Sequence, residues 1–132
     1  MSEASRIMPV EEMSDRALVK RFLDVCNCAI EENANKFPFK QMLALSNCFL
    51  GGRPITVGIY KDDPSKTYDH YTYRFENSRF SLMEHGKVHD AFEWRTCRGY
   101  LEKVVKNPRE YIENPNQLKF DWLKGRLGLK LD

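Results

Sequence analysis

At 132 residues with a formal net charge of +2, 42% hydrophobic and 30% charged side chains, the chain has the size and balance of a folded domain. That excludes a disordered tail or fibrous repeat and gives no argument from charge for nucleic acid or membrane. The opening MSEASRIMPVEE lacks the basic flank and apolar run of an export signal, and no stretch approaches the roughly 20 apolar residues that span a bilayer, so a cytoplasmic protein without membrane contact is expected.

Residues 1–12 read as a flexible N-terminus and 13–132 as one domain. Ser14 caps a helix with Asp15 in its first turn. Leu18, Phe22, Val25 and Ala29 recur at helical spacing to about Asn33, with Leu23, Cys26 and Ile30 widening the stripe. After NANKFP, Pro38 opens a second helix carrying Phe39, Met42, Leu43, Leu45, Phe49 and Leu50, which Gly51 and Gly52 end. The period then falls from about 3.6 to 2. PITVGIY, YDHYTYRF and FSLMEH read as three strands separated by KDDPSK and ENSR, with Tyr71, Tyr73 and Phe75 on one face and Tyr68, His70, Thr72 and Arg74 on the other.

From Val88 the helical period returns, with Phe92, Cys97, Tyr100, Leu101, Val104 and Val105 inward. Asn107-Pro108-Arg109-Glu110 and Asn114-Pro115-Asn116-Gln117 each supply an N-cap, a proline at the first helical position and a Glu or Gln at the third. The first opens a single turn through Tyr111 and Ile112, the second a last helix through Leu118, Trp122, Leu123 and Leu127. The fold expected is a two-layer α+β domain: a three-stranded antiparallel meander with two N-terminal and two to three C-terminal helices, ααβββααα.

Charge is uneven along the chain. Up to Asn35 seven acids face four bases, and from Arg95 nine bases face five acids, the pattern of two solvated helical faces that attract each other. The four cysteines, Cys26, Cys28, Cys48 and Cys97, form no Cys-x-x-Cys pair and read as reduced and mostly buried.

A turn at Asn77-Ser78 pairs Glu76 with Arg79 and, carried along the ladder, Phe75 with Phe80, Tyr73 with Leu82 and His70 with His85. A turn centred on Pro64 sets Val57 against Tyr71, Ile55 against Tyr73 and Gly58 beside His70, where the missing side chain leaves a gap. His89 follows His85 by four residues. Gly58, Tyr60, Tyr68, His70, Arg74, Met83, His85 and His89 therefore form the candidate ligand site. Its imidazoles suit an open metal position or proton transfer near neutrality, although no metal or cofactor motif accompanies them.

No serine lies in a Gly-x-Ser-x-Gly context, and GGRP is not a phosphate loop. Helix, three antiparallel strands, helix is also the element order of double-stranded-RNA-binding domains. Their lysine cluster would fall near GKVHDAFEWR, where Lys87 alone matches and Asp90 and Glu93 oppose it. The leading expectation is a non-enzymatic protein that binds a small ligand or a protein partner, the latter, or a second copy, through the amphipathic tail LKFDWLKGRLGLKLD. A histidine-centred metal or ligand site with hydrolytic or proton-transfer chemistry is the alternative. Nucleic-acid binding through the basic C-terminal half stands third.

Overall fold

A computed structural model describes residues 9–35 and 53–114. The expected helix over 38–50, Cys48, and the expected last helix and tail beyond 114 lie outside the described residues.

A 3-10 turn, Val10–Glu12, leads to α1 (Asp15–Asn33), where the Ser14 Oγ accepts the Ala17 N–H at 3.1 Å, satisfying one of the amides a helix start leaves open. Leu18, Val19, Phe22, Leu23, Val25, Cys26, Ala29 and Ile30 are buried as the stripe requires. The meander follows as β1 (Pro54–Tyr60), β2 (Thr67–Glu76) and β3 (Arg79–His85), both pairs antiparallel. Asn77 and Ser78 both have positive φ, 52° and 60°, the two-residue hairpin geometry whose twist matches the flanking strands.

The expected helix from Val88 is corrected. Phe92–Cys97 is a fourth strand, β4, lying parallel to β1, so the sheet order is β3-β2-β1-β4 and the helix begins only at Arg98. Six residues fit either period, and here alternation prevails. Phe92, Trp94 and Thr96 stand beside Ile55, Val57 and Ile59, while Glu93 and Arg95 stand beside Thr56 and Gly58. β1 is buried along its length, so its peptide groups need a second neighbour that a helix would not supply. Trp94 also gains an acceptor, its Nε1–H donating to the Tyr73 hydroxyl at 2.7 Å. The intervening strand departs from the element order of double-stranded-RNA-binding domains.

Helices α2 (Arg98–Lys106) and α3 (Pro108–Glu113) close the described chain. Pro108 stands at the start of α3 as expected, but Asn107 does not cap it. Its side chain donates backward to the Lys103 carbonyl at 3.0 Å and closes α2 instead. The uneven charge resolves into contacts between chain ends: Arg98 pairs with Asp15, Lys106 with Glu11 and Arg109 with Glu32. Asn33 secures the same junction, donating to the carbonyls of Ala29 and Ile112.

Tyr71, Tyr73, Phe75 and Phe80 join the α1 stripe, Leu101, Val104, Tyr111 and Ile112 in one core. On the opposite sheet face the centre is covered while Glu93 and Arg95 at the β4 edge are exposed. Thr56 and Thr72 there are 1% and 0% exposed. Thr72 donates to the Gly86 carbonyl, so the 2.8 Å contact between the two hydroxyls has Thr56 as donor and neither is left unpaired.

Candidate functional site

Two bulges divide the residues that the sequence groups together. The β2–β3 pairing follows expectation from Glu76–Arg79 to Tyr73–Leu82, then slips: Thr72 opposes Glu84 and Tyr71 opposes His85, leaving Met83 as an extra residue. A one-residue slip moves every later side chain to the other face, so His85 does not face His70. Without the slip Glu84 would stand opposite Tyr71, on the face that carries the Asp69 carboxylate. With it, His85 takes that place. The second bulge lies between Ile59–Asp69 and Tyr60–Thr67 and makes Tyr68 the extra residue. Tyr68 leaves the His70 face and its hydroxyl donates to Asp15 at the start of α1 at 3.2 Å. Burial and the Asp15 carboxylate push its phenol above the ordinary value.

On the outer face Gly58 does stand beside His70, as expected. The gap is filled by the histidine ring: a Cβ at position 58 would lie 3.0 Å from the Thr67 Cγ2 and 3.2 Å from the His70 Cδ2. His70 Nε2 contacts the Thr67 hydroxyl at 3.2 Å, and burial, then the charge of Lys87, hold its pKa below the usual value. Arg74 stands farther along β2 between Pro54 and Ser81, and Tyr60 ends β1 between Thr67 and Cys97.

On the α1 side, Asp69 gathers three donors. Its Oδ1 accepts the His70 N–H at 3.0 Å and the His85 Nε2 at 2.6 Å, and its Oδ2 accepts the Tyr71 hydroxyl at 2.8 Å. Burial pushes the carboxyl up, but the bonds from His85, Tyr71 and the backbone outweigh it and hold Asp69 below the ordinary carboxylate range. An ionised carboxylate only accepts, so the Nε2 of His85 carries the proton. The His85 ring stacks on Tyr71 at 4.8 Å with its side chain 63% exposed. His89 lies apart in the β3–β4 connection, 95% exposed and 3.4 Å from Asp90. The three imidazoles occupy three places, and no group of three metal-ligating side chains forms among the described residues.

Cys26 is buried and its thiol pushed up by desolvation, as a core cysteine should be. Cys28, read as buried, is exposed on α1. Among the described residues no helix is long and apolar enough to cross a membrane.

A feature not visible from sequence lies where α1 runs beside β3. Asn27, 7% exposed, donates its Nδ2 to the Phe80 carbonyl at 2.9 Å and accepts the Phe80 N–H on Oδ1 at 2.7 Å. Its amide thus takes the place of a neighbouring strand at one residue of the sheet edge. Alongside is a cleft of about 260 Å³ lined by Arg16, Lys20, Leu23, Asp24, Asn27, Arg79, Phe80 and Ser81. Arg16, Lys20 and Arg79 are exposed, and among the described residues none has a carboxylate within ion-pair distance. A larger hollow at the β1–β2 loop, about 530 Å³, is lined by Lys61, Lys66, Asp62, Asp63 and Tyr68, whose charges balance. Sequence spacing puts Arg16 and Lys20 on one helix face, but only the Asn27–Phe80 clasp brings Arg79 to them.

No family model matches this sequence, and no curated protein or solved structure matches the chain.

Proposed function

We propose that this is a cytosolic, non-catalytic binding protein whose small ligand or protein partner engages the side where α1 runs along β3. The observation that carries this reading is the gathering of Arg16, Lys20 and Arg79 about one cleft without ion-pair partners among the described residues. Three cations toward the C-terminal side are instead spent on the fold itself: Arg98 on Asp15 and Glu102, Lys106 on Glu11, Arg109 on Glu32 and Glu113.

A second reading, acid–base chemistry at His85, is favoured by its 2.6 Å bond to Asp69, which fixes the proton on Nε2 and leaves Nδ1 as the acceptor nitrogen. Among the described residues no hydroxyl or thiol is bonded to that ring to serve as a nucleophile. The binding reading therefore leads.

Backbone amide shifts of the labelled protein, followed against a panel of small anions, acidic peptides, neutral ligands and a short nucleic-acid duplex, test it. Perturbations confined to 16–27 and 79–81, and lost on substituting Arg16, Lys20 and Arg79 together with alanine, are expected. Shifts centred on the His70 face, or a triple variant that binds as well as the parent, would overturn it.

A further inference from the structure

We infer that the group bound in the cleft is a phosphoryl dianion, as inorganic phosphate or a phosphate monoester. This rests on the reading that the cleft is the binding surface and adds the class of ligand. Three cations and one carboxylate, Arg16, Lys20, Arg79 and Asp24, leave +3 − 1 = +2 about one small space. That sum matches a phosphate monoester near neutral pH and exceeds what a single carboxylate neutralises. Two of the three cations are guanidinium groups, whose planar forks pair with phosphate oxygens through parallel N–H bonds.

The rest of the lining narrows the choice further. Leu23 and Phe80 are apolar, and the Asn27 amide is held by the Phe80 peptide group through both its Nδ2 and its Oδ1, so the arginine and lysine side chains dominate the polar lining. Ser81 adds a hydroxyl on the β3 side. Asp24 lies four residues beyond Lys20, on the same helix face. It interrupts the cationic row and disfavours a continuous polyanion relative to one discrete head group. At about 260 Å³ the cleft is smaller than the roughly 300–1,000 Å³ of sites that enclose a whole drug-sized ligand, so it takes the head group and leaves the remainder outside.

Arg16 gives a separate argument. It is the second residue of α1, where the aligned peptide dipoles disfavour a cation, and it lies four residues before Lys20, a like charge. Helix stability would select an acid at that position. A cation kept there without a partner has its use in what it binds.

The test is a titration at pH 7.5 and constant ionic strength, read by amide shifts and calorimetry, with inorganic phosphate, a phosphoserine peptide, the same peptide with glutamate, and acetate. Both phosphates should bind at 16–27 and 79–81 at least about tenfold more tightly than the glutamate peptide or acetate. Arg16→Ala, Lys20→Ala and Arg79→Ala should each weaken them by about tenfold. Arg79→Lys should recover only part of the loss. Arg21→Ala, on the same helix outside the cleft, should change nothing. These substitutions are on exposed side chains, and the dispersion of the amide spectrum reports that each variant is folded. A phosphopeptide bound more tightly than inorganic phosphate identifies a phosphorylated protein segment as the source, and parity identifies a free small phosphate. A glutamate peptide bound in the cleft as tightly as its phosphorylated form would overturn the phosphoryl assignment and leave the cleft as a binding surface. Binding of no anion at the cleft, or equal weakening by Arg21→Ala, would overturn both.

Discussion

Asn27→Ala removes the side chain that stands in for a neighbouring strand at Phe80. Two hydrogen bonds are lost, at 2.9 and 2.7 Å, and the Phe80 N–H and C=O lose their partner together. A buried polar group left unpaired costs about 1–3 kcal/mol, but these two sit at the wall of a cleft that water can enter, so the lower end applies to each. The expected loss is about 2 kcal/mol in urea-induced unfolding with an unchanged m-value, a large share of the 5–15 kcal/mol that holds an ordinary domain. Asn27→Asp keeps an acceptor for the N–H but turns a carboxylate oxygen toward the Phe80 carbonyl, and should cost at least as much. Hydrogen exchange at the Phe80 amide should accelerate in both variants, and the uncovered edge should raise self-association in size-exclusion chromatography. A loss below about 0.5 kcal/mol together with unchanged exchange at Phe80 would refute the argument that this amide closes the edge.

Gly58→Ala should destabilise by about 1–3 kcal/mol through its contacts with Thr67 and the His70 ring. Adding His70→Ala should recover part of that, a coupling read by a double-mutant cycle. Arg98 donates to Asp15, Glu102 and the Met13 carbonyl from separate nitrogens, so Arg98→Lys should lose about 1–2 kcal/mol of unfolding free energy despite keeping the charge. His70 has a folded pKa below its ordinary 6.5, so the fold favours the neutral ring. Its contribution is complete above pH 6.5 and is lost as pH falls below that value toward the folded pKa. The contribution of Asp69, held below 3.8, is lost only in more acid solution, so His70→Gln should flatten the stability profile just below pH 6.5.

Local signals carried far along this chain, and failed where a single extra residue shifts a pattern and leaves only a brief lapse in it. The Ser14 cap, the α1 stripe and the Asn77-Ser78 turn each act within a few residues, and all were legible. The turn even set the correct register as far as Tyr73–Leu82. Tyr68 and Met83, the two bulge residues, are neither glycine nor proline, and the slips are marked only by one-residue lapses of alternation, at Asp69-His70 and at Leu82-Met83, too short to fix where the extra residue falls. Both belonged to the expected site, which is why that site separated into a His70 side and a His85 side. Phe92–Cys97 was ambiguous for another reason: six residues are under two helical turns, and the choice of strand depended on the open side of β1, nearly forty residues away. The cleft needed still more. Arg79 reaches Arg16 and Lys20 only because α1 and β3 pack together, with Asn27 fixing their alignment.

If binding rather than folding keeps Arg16 a cation, stability and affinity should respond to its replacement in opposite directions. Arg16→Glu places an acid in the first turn of α1, worth about 0.3–1 kcal/mol against the helix dipole, and converts a repelling pair with Lys20 into an attractive Glu-to-Lys pair four residues apart, worth about 0.2–0.5 kcal/mol. Asp15 and Asp69 oppose the gain. Both already accept cationic or hydrogen-bonding partners, Arg98 and His85, so part of their charge is answered. The variant without ligand should therefore be at least as stable as the parent, by up to about 1 kcal/mol in urea denaturation. In phosphate the order should reverse: the parent gains stability in proportion to RT ln(1 + [L]/Kd), while Arg16→Glu gains none. Arg16→Gln, neutral and close in length, should fall between the two in both measurements. An Arg16→Glu protein that is less stable than the parent without phosphate would show that the guanidinium serves the fold, and the argument that it is held there for a ligand would fail.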